Sequence, residues 1–171
     1  MILYLPLKFD ANEWFILIAI LFVFTTVLLL PKRFSTLFIV FMMLFNVFIG
    51  QTVDYLIAVP PYDLYDVNDR PDYELFDFLL YFLLYPPSAY IVLYFYSKWK
   101  IKGLYVIAYI LGCALLTTGL EWIAHFLHVF TYKGWKLVYS FPVYIGVYSF
   151  NILVLRLAQT YVQRKRNLNN I

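Results

Sequence analysis

The sequence is poor in charged residues, cysteine and histidine. Asp, Glu, Lys and Arg make up 13% of the 171 residues, whereas about a quarter is usual in a soluble domain. The single cysteine, Cys113, excludes a disulfide-stapled scaffold. The composition also excludes a disordered chain and a nucleic-acid-binding protein. What the chain has instead is 64% apolar and aromatic residues and a mean hydropathy of +0.76, so lipid is predicted to surround most of it.

Five stretches are apolar and long enough to cross a bilayer, which takes about 20 residues each. They cover about residues 14–30, 34–59, 76–97, 104–128 and 141–162. Together they use most of the chain and leave no room for a soluble domain. We therefore predict an all-α polytopic membrane protein, a bundle of five transmembrane helices that forms a single domain over residues 1–171.

The basic residues predict that the N-terminus is outside and the C-terminus is cytoplasmic, because short cytoplasmic loops are rich in Lys and Arg. In this orientation nine basic residues lie at the inner side, namely Lys32, Arg33, Lys98, Lys100, Lys102, Arg156, Arg164, Lys165 and Arg166. Four lie outside, namely Lys8, Arg70, Lys133 and Lys136. The acidic residues between the spans all fall on the external side.

The first span is predicted to be an uncleaved anchor. It has no basic region before it beyond Lys8, and it has no small-residue cleavage site. The sequence contains no Asn-x-Ser/Thr sequon, which fits a bacterial plasma membrane. A multi-pass protein of that membrane is the predicted localisation.

Polar side chains inside the spans are costly in lipid and are the first places to look for function. In the fourth span, spacings of three and four residues put one set on a single helix face: Thr118, Glu121, His125 and His128. Polar groups of the second and fifth spans lie at matching depth, and Asn46 and Asn151 are predicted to bond across the bundle. We predict an outward-facing polar pocket. Its candidate ligand-binding residues are Asn46, Gln51, Asp54, Glu121, His125, Tyr148 and Asn151.

Glu121, His125 and His128 are also candidate metal ligands, because carboxylate and imidazole suit Zn, Fe or Mn. The alternative is that Glu121 is a hydrogen-bonded group between helices and that the histidines are interfacial. We favour the alternative, and no cofactor is otherwise expected.

Two further features leave alternatives open. Pro86 and Pro87, near the centre of the third span, remove two backbone donors, so they predict either an ordinary kink or a broken helix of the kind that forms transporter sites.

In the external loop 60–74, acidic residues recur every three residues without the order of a calcium-binding loop. A solvated loop or a weak divalent-cation site is predicted there.

An aromatic motif near the fourth span resembles a pattern in an uncharacterised family of small multi-pass membrane proteins of spore-forming Gram-positive bacteria. It consists of Glu121-Trp122, Tyr132, Gly134-Trp135 and Tyr139-Ser140. The turn Pro31-Lys32-Arg33 is also similar to that family. The resemblance implies a plasma-membrane protein without established activity, and it supplies no catalytic residues.

These observations favour a non-enzymatic membrane protein that binds a partner or a small ligand through the polar pocket. One alternative is a transporter or channel-like subunit that uses Asp54, Glu121 and the broken third helix. A second is an intramembrane metal-dependent enzyme acting on lipid. The expected partners are the lipid bilayer and either a second copy of the chain or the other subunits of a membrane complex, and no nucleic acid is expected.

Overall fold

The computed structural model describes residues 3–168, with the side chains of residues 3–165. Five helices carry the fold: α1 (Ala11–Leu29), α2 (Thr36–Ile57), α3 (Leu75–Lys98), α4 (Tyr105–Phe126) and α5 (Leu137–Leu168). All five are long and apolar enough to cross a membrane, which confirms the predicted number of such helices. The last helix begins four residues earlier than predicted. The side chain of Arg166, one of the predicted inner basic residues, lies outside the described part of the chain.

Helix α3 lies at the centre of the bundle. It is the most buried of the five helices, and it packs against α1, α2 and α5. Helix α4 packs along α5 and is tied to α3 by a hydrogen bond from Tyr109 Oη to the Val92 carbonyl, at 2.6 Å. Two clusters of buried apolar side chains fill the bundle. One contains Ile16, Phe76, Leu80, Ala124 and Val129, and the other Met42, Leu93, Tyr96, Ile152 and Leu155.

The two prolines neither break α3 nor leave it a regular helix. The segment Leu80–Leu84 widens into one π-helical turn, and a regular α-helix restarts at Tyr85 with the prolines in its first turn. Tyr85 N–H donates to the carbonyl of Leu80, five residues back, and Ser88 Oγ donates to the carbonyl of Leu84 at 2.7 Å. A proline lacks a backbone donor but is well tolerated in a first turn, so the wider turn lets the helix continue.

A small antiparallel sheet joins the segments that follow α2 and α4. Strand β1 (Tyr65–Val67) pairs with strand β2 (Phe130–Tyr132), so that Tyr65 lies opposite Tyr132. The chain is mostly helical, as predicted, but this strand pair was not predicted, because three-residue strands are too short to give a periodic signal in the sequence. Following the predicted orientation, we call the end of the bundle with this sheet the outer end. The opposite end, with connections 30–35 and 99–104, is the inner end.

Candidate functional site

Glu121, on α4, is buried and accepts hydrogen bonds on both of its carboxylate oxygens. Its Oε1 accepts from Tyr132 Oη at 2.5 Å and from Ser140 Oγ at 2.6 Å, while Oε2 accepts from Tyr144 Oη at 2.6 Å. Trp135 Nε1 donates in turn to Ser140 Oγ at 2.8 Å. The donors to Glu121 come from β2 and α5, so this one carboxylate ties both segments to α4, and Trp135, in the turn between them, holds Ser140 in place.

Asp54, near the end of α2, is the second carboxylate at the outer end. The hydroxyl of Tyr65, from β1, donates to one of its oxygens, and the hydroxyl of Tyr81, from the π turn of α3, donates to the other. Gly50, one turn earlier on α2, packs closely against Tyr81 and Tyr85. A Cβ atom at Gly50 would lie 3.2 Å from Cδ2 of Tyr85.

We call Asp54, Glu121 and the side chains that donate to them the carboxylate network. Asp54 and Glu121 lie close enough for their charges to interact, and Tyr85 is within electrostatic reach of both. Among the described residues, neither carboxylate forms a salt bridge, and the only such ion pairs join Lys133 to Asp63 and Asp66. Two carboxyl groups are therefore held in the bundle by hydroxyl donors alone. This is an expensive arrangement in a medium without water.

The strands β1 and β2 cover this network, and we call them the tyrosine lid. Lys133 Nζ binds Asp63 and Asp66, each at 2.9 Å, which fixes one side of the lid to the other. The Leu64 carbonyl accepts from the N–H groups of residues 133–135 at 2.9–3.0 Å. Backbone and aromatic rings of the lid thus lie over the carboxylates that were predicted to line an outward-facing pocket.

The lid tyrosines hold their protons tightly. Burial, followed by the negative charge of Asp54, raises the pKa of Tyr65 well above its usual value. Burial and the hydrogen bond to Glu121 raise the pKa of Tyr132 in the same way. Both hydroxyls therefore remain hydrogen-bond donors at any physiological pH.

The two histidines do not join Glu121 as the metal hypothesis requires. His125 Nδ1 donates to the Phe130 carbonyl at 2.7 Å, and its ring stacks on Tyr132 with 4.2 Å between centroids. His128 lies beyond the end of α4, is exposed and has a φ of 62°. Within residues 3–168, no group of three or more His, Cys, Asp or Glu side chains is arranged to hold a metal ion. The geometry gives the three-residue metal site no support.

The remaining predicted residues lie around the network but have other partners. Asn46 and Asn151 exchange hydrogen bonds at 2.9 and 3.0 Å, which confirms the predicted contact between them. Tyr148 Oη lies 2.5 Å from Thr117 Oγ1, and Gln51 Nε2 donates to Tyr73 Oη at 3.2 Å. Only Asp54 and Glu121 of the predicted set belong to the carboxylate network, with His125 beside it through Tyr132.

Sequence reasoning missed Tyr65, Tyr81 and Ser140 as partners of the carboxylates. Tyr65 lies in the loop that was expected to be solvated or to bind a divalent cation weakly. The strand that contains Tyr65 has only three residues, which is too short to give an alternating pattern in the sequence. Tyr81 carried a signal, because it lies one turn before the two prolines, where a helix must rearrange.

A second group of polar side chains is buried beside the first turns of α1 and α3, and we call it the acid–amide cluster. It consists of Asn12, Glu13, Asn68 and Glu74. Burial, with the nearby charge of Asp69, raises the pKa of Glu74 to about 7. Glu74 belongs to the loop predicted to be solvated or to bind a divalent cation weakly, and its burial corrects the first of these alternatives.

No protein-family model, curated protein or solved structure matches this chain. The resemblance in the aromatic motif therefore stays a prediction, and function has to be argued from the geometry of the chain itself.

Proposed function

We propose that the protein is a multi-pass protein of a bacterial plasma membrane that binds a small ligand or a partner at its outer end. The observation that carries the proposal is the pair of buried carboxylates, Asp54 and Glu121, which are held by hydroxyl groups and covered by the tyrosine lid. A ligand gains access when the lid hydroxyls leave the carboxylates.

Insertion into a membrane is supported by the surface of the helices. Large apolar side chains are exposed along their length, including Leu21, Leu28, Leu44, Phe48 and Leu116. Contiguous apolar surface on this scale marks contact with another apolar phase, and five helices of sufficient length provide it.

The proposed orientation is supported by a separation of charge along the bundle. At the inner end, Arg33 donates to Ser97 and Arg156 donates to Tyr96, and a groove there is lined by Lys100, Lys102 and Arg156, among others. The acid–amide cluster and the two carboxylates of the network lie toward the opposite end. Basic residues gathered at one end favour that end as cytoplasmic.

The chemistry around the carboxylates indicates the class of ligand. Aromatic side chains reach both carboxylates: the hydroxyls of Tyr65, Tyr81, Tyr132 and Tyr144 donate to them, and Trp135 donates to Ser140, which itself donates to Glu121. Aromatic faces together with carboxylates attract organic cations, through cation–π attraction and charge. The proposed ligand is therefore a small organic amine or ammonium ion, or a cationic side chain of a partner protein.

The test is a calorimetric titration of the protein in lipid nanodiscs with choline, putrescine and tetramethylammonium. We expect one of these cations to bind, and Glu121→Gln and Asp54→Asn to weaken its binding at least about tenfold, which corresponds to about 1.4 kcal/mol. Asp72→Asn is the matched control, because Asp72 is an exposed acid of the outer loop and its loss should leave the affinity unchanged. Unchanged affinity in both network variants, or no binding of any of the three cations, contradicts the proposal.

A transporter or channel-like subunit is the second candidate, and the π turn of α3 favours it. This turn carries Tyr81, which binds Asp54, so an irregular stretch of helix lies directly at a buried carboxylate. Irregular helices at buried charges form transport sites in membrane proteins. Uptake of a labelled cation into proteoliposomes that is lost in Glu121→Gln supports transport, and binding without uptake excludes it.

A further inference from the structure

The acid–amide cluster contains five buried oxygen atoms that have no hydrogen-bond partner among the described residues. They are Asn12 Oδ1, Glu13 Oε1, Asn68 Oδ1 and both carboxylate oxygens of Glu74. Asn12, Glu13 and Glu74 are 0% exposed, and Asn68 is 4% exposed. Buried polar atoms are nearly always paired, so these unpaired acceptors on neighbouring segments call for a partner such as a bound ion.

Hydrogen bonds bring the cluster together from three separate segments. One carboxylate, Asp77, accepts from Asn68 Nδ2 at 2.7 Å and from the Glu74 N–H at 2.8 Å. Asn12 Nδ2 donates to Asp69 Oδ1 at 3.3 Å. Glu74 is also close enough to Glu13 and Asp69 for their charges to interact. The start of α1, the loop after β1 and the start of α3 are therefore neighbours at the outer end of the bundle.

The same hydrogen bonds select which atoms are left free. The amide nitrogens of Asn12 and Asn68 are occupied by Asp69 and Asp77, so each carbonyl oxygen is the free end of its side chain. Glu13 Oε2 accepts from the Asp10 N–H at 2.8 Å, which leaves Oε1 free. Carboxylates that fix the orientation of neighbouring ligands are typical of the surroundings of a metal ion.

We infer that the acid–amide cluster binds one calcium ion at the outer end of the bundle. Calcium takes six to eight oxygen ligands from carboxylates, amide carbonyls and water, and it accepts irregular geometry. The cluster offers five such oxygens, three of them from the carboxyl groups of Glu13 and Glu74 and two from amides. Only two of its side chains, Glu13 and Glu74, are carboxylates, and the other two, Asn12 and Asn68, are amides. It therefore differs from a metal site built from three or more Asp, Glu, His or Cys side chains.

Arg70 is the competing positive charge. It interacts electrostatically with Glu74, yet its guanidinium lies over the ring of Tyr4 at 5.4 Å, and its Nε, which is buried, has no hydrogen-bond partner in residues 3–168. Arg70 therefore lowers the cost of the Glu74 charge without occupying the free oxygens.

The experiment is a titration of chelator-treated protein in nanodiscs with terbium, followed by displacement with calcium. Tyr4 and Tyr73 flank the cluster, because the Leu75 N–H donates to the Tyr4 carbonyl and the Tyr4 N–H donates to the Tyr73 carbonyl. Energy transfer from these rings makes bound terbium luminescent. We expect one terbium per chain, displaced by calcium at roughly 0.1–1 mM, the range of extracellular calcium modules, and less readily by magnesium.

Glu74→Gln and Glu13→Gln should each weaken calcium binding at least about tenfold, whereas Asp72→Asn should not change it. Thermal unfolding of the wild-type protein should also shift upward with added calcium, which tests the inference even where a variant does not fold. Absence of stoichiometric binding to the wild-type protein overturns the inference, as does equal weakening in Asp72→Asn. Organic-cation binding depends on Asp54 and Glu121, so either proposal can fail without the other.

Discussion

Tyr65 and Tyr132 lie opposite each other in the tyrosine lid, and their hydroxyls donate to carboxylates on two different helices, Asp54 of α2 and Glu121 of α4. Directly opposed residues of an antiparallel pair point to the same face of the sheet. One pair of strands therefore connects both buried carboxylates and holds α2 and α4 to a common cover.

Removing the hydroxyl of Tyr65 and removing that of Tyr132 should destabilise the protein to different extents. Tyr65→Phe leaves Asp54 with one hydroxyl donor, Tyr81, whereas Tyr132→Phe leaves Glu121 with two. A hydrogen bond to a charged group contributes about 1.5–3 kcal/mol, and we expect Tyr65→Phe to fall in this range and Tyr132→Phe to cost less. The measurement is the free energy of unfolding in mild detergent.

Tyr62→Phe is the control for this pair. Tyr62 is 66% exposed and belongs to the same loop, so its hydroxyl should contribute little. If Tyr62→Phe and Tyr65→Phe lowered the free energy of unfolding equally, the hydrogen bond to Asp54 would not be what stabilises the lid.

The helices could be predicted because lipid imposes a strong and simple constraint on sequence. A span must be apolar for about 20 residues, and this signal is present in all five helices. The hydrogen bond between Asn46 and Asn151 could be predicted for a related reason, since two amides at the same depth have few other partners in lipid.

The pairing of β1 with β2 and the acid–amide cluster could not be predicted, because they depend on contacts between residues far apart in the chain. Tyr65 and Tyr132 are 67 positions apart and meet only through three-residue strands. Glu13 and Glu74 look like solvated acids in sequence, and their burial follows from the way the start of α1 packs beside the start of α3. Loop packing of this kind leaves no periodic pattern in sequence.

The raised pKa values of Tyr65 and Tyr132 predict a loss of stability at alkaline pH. In the unfolded chain both groups ionise near their ordinary pKa of about 10, while in the folded protein they keep their protons to higher pH. Above about pH 10 the unfolded state therefore binds fewer protons than the folded state, and the free energy of unfolding falls as pH rises. Below about pH 9 these two groups contribute no slope.

The measurement is the unfolding temperature as a function of pH between about 8 and 11, in wild type and in Tyr65→Phe/Tyr132→Phe. The double variant starts from a lower stability and should decline less steeply above about pH 10. Parallel curves for the two proteins would mean that the lid tyrosines ionise as readily when folded as when unfolded.

The pair Asn46 and Asn151 should show a measurable coupling energy. Each side-chain nitrogen also donates within its own helix, Asn46 to the Met42 carbonyl and Asn151 to the Val147 carbonyl, so the amides are held in place. Asn46→Leu and Asn151→Leu should each destabilise the bundle, because the remaining amide loses its partner, and the double variant should be less destabilised than their sum. We expect a coupling of about 0.6–2 kcal/mol, and strict additivity would contradict a direct contact.

Gly50 should tolerate a methyl group poorly, because it lies where α2 passes the tyrosines that serve Asp54. A Cβ atom there would lie 3.2 Å from Tyr85 Cδ2 and 3.5 Å from Tyr81 Cδ1, whereas a Cβ at Gly112 would meet no atom within 4 Å. Alanine favours a helix over glycine by about 1 kcal/mol, so Gly112→Ala should stabilise the protein slightly. At Gly50, overpacking of about 1–3 kcal/mol opposes this gain, because the ring of Tyr85 has to shift by a few tenths of an ångström. Thermal unfolding of both variants gives the comparison, and a Gly50→Ala protein as stable as Gly112→Ala would show that the rings move aside without cost.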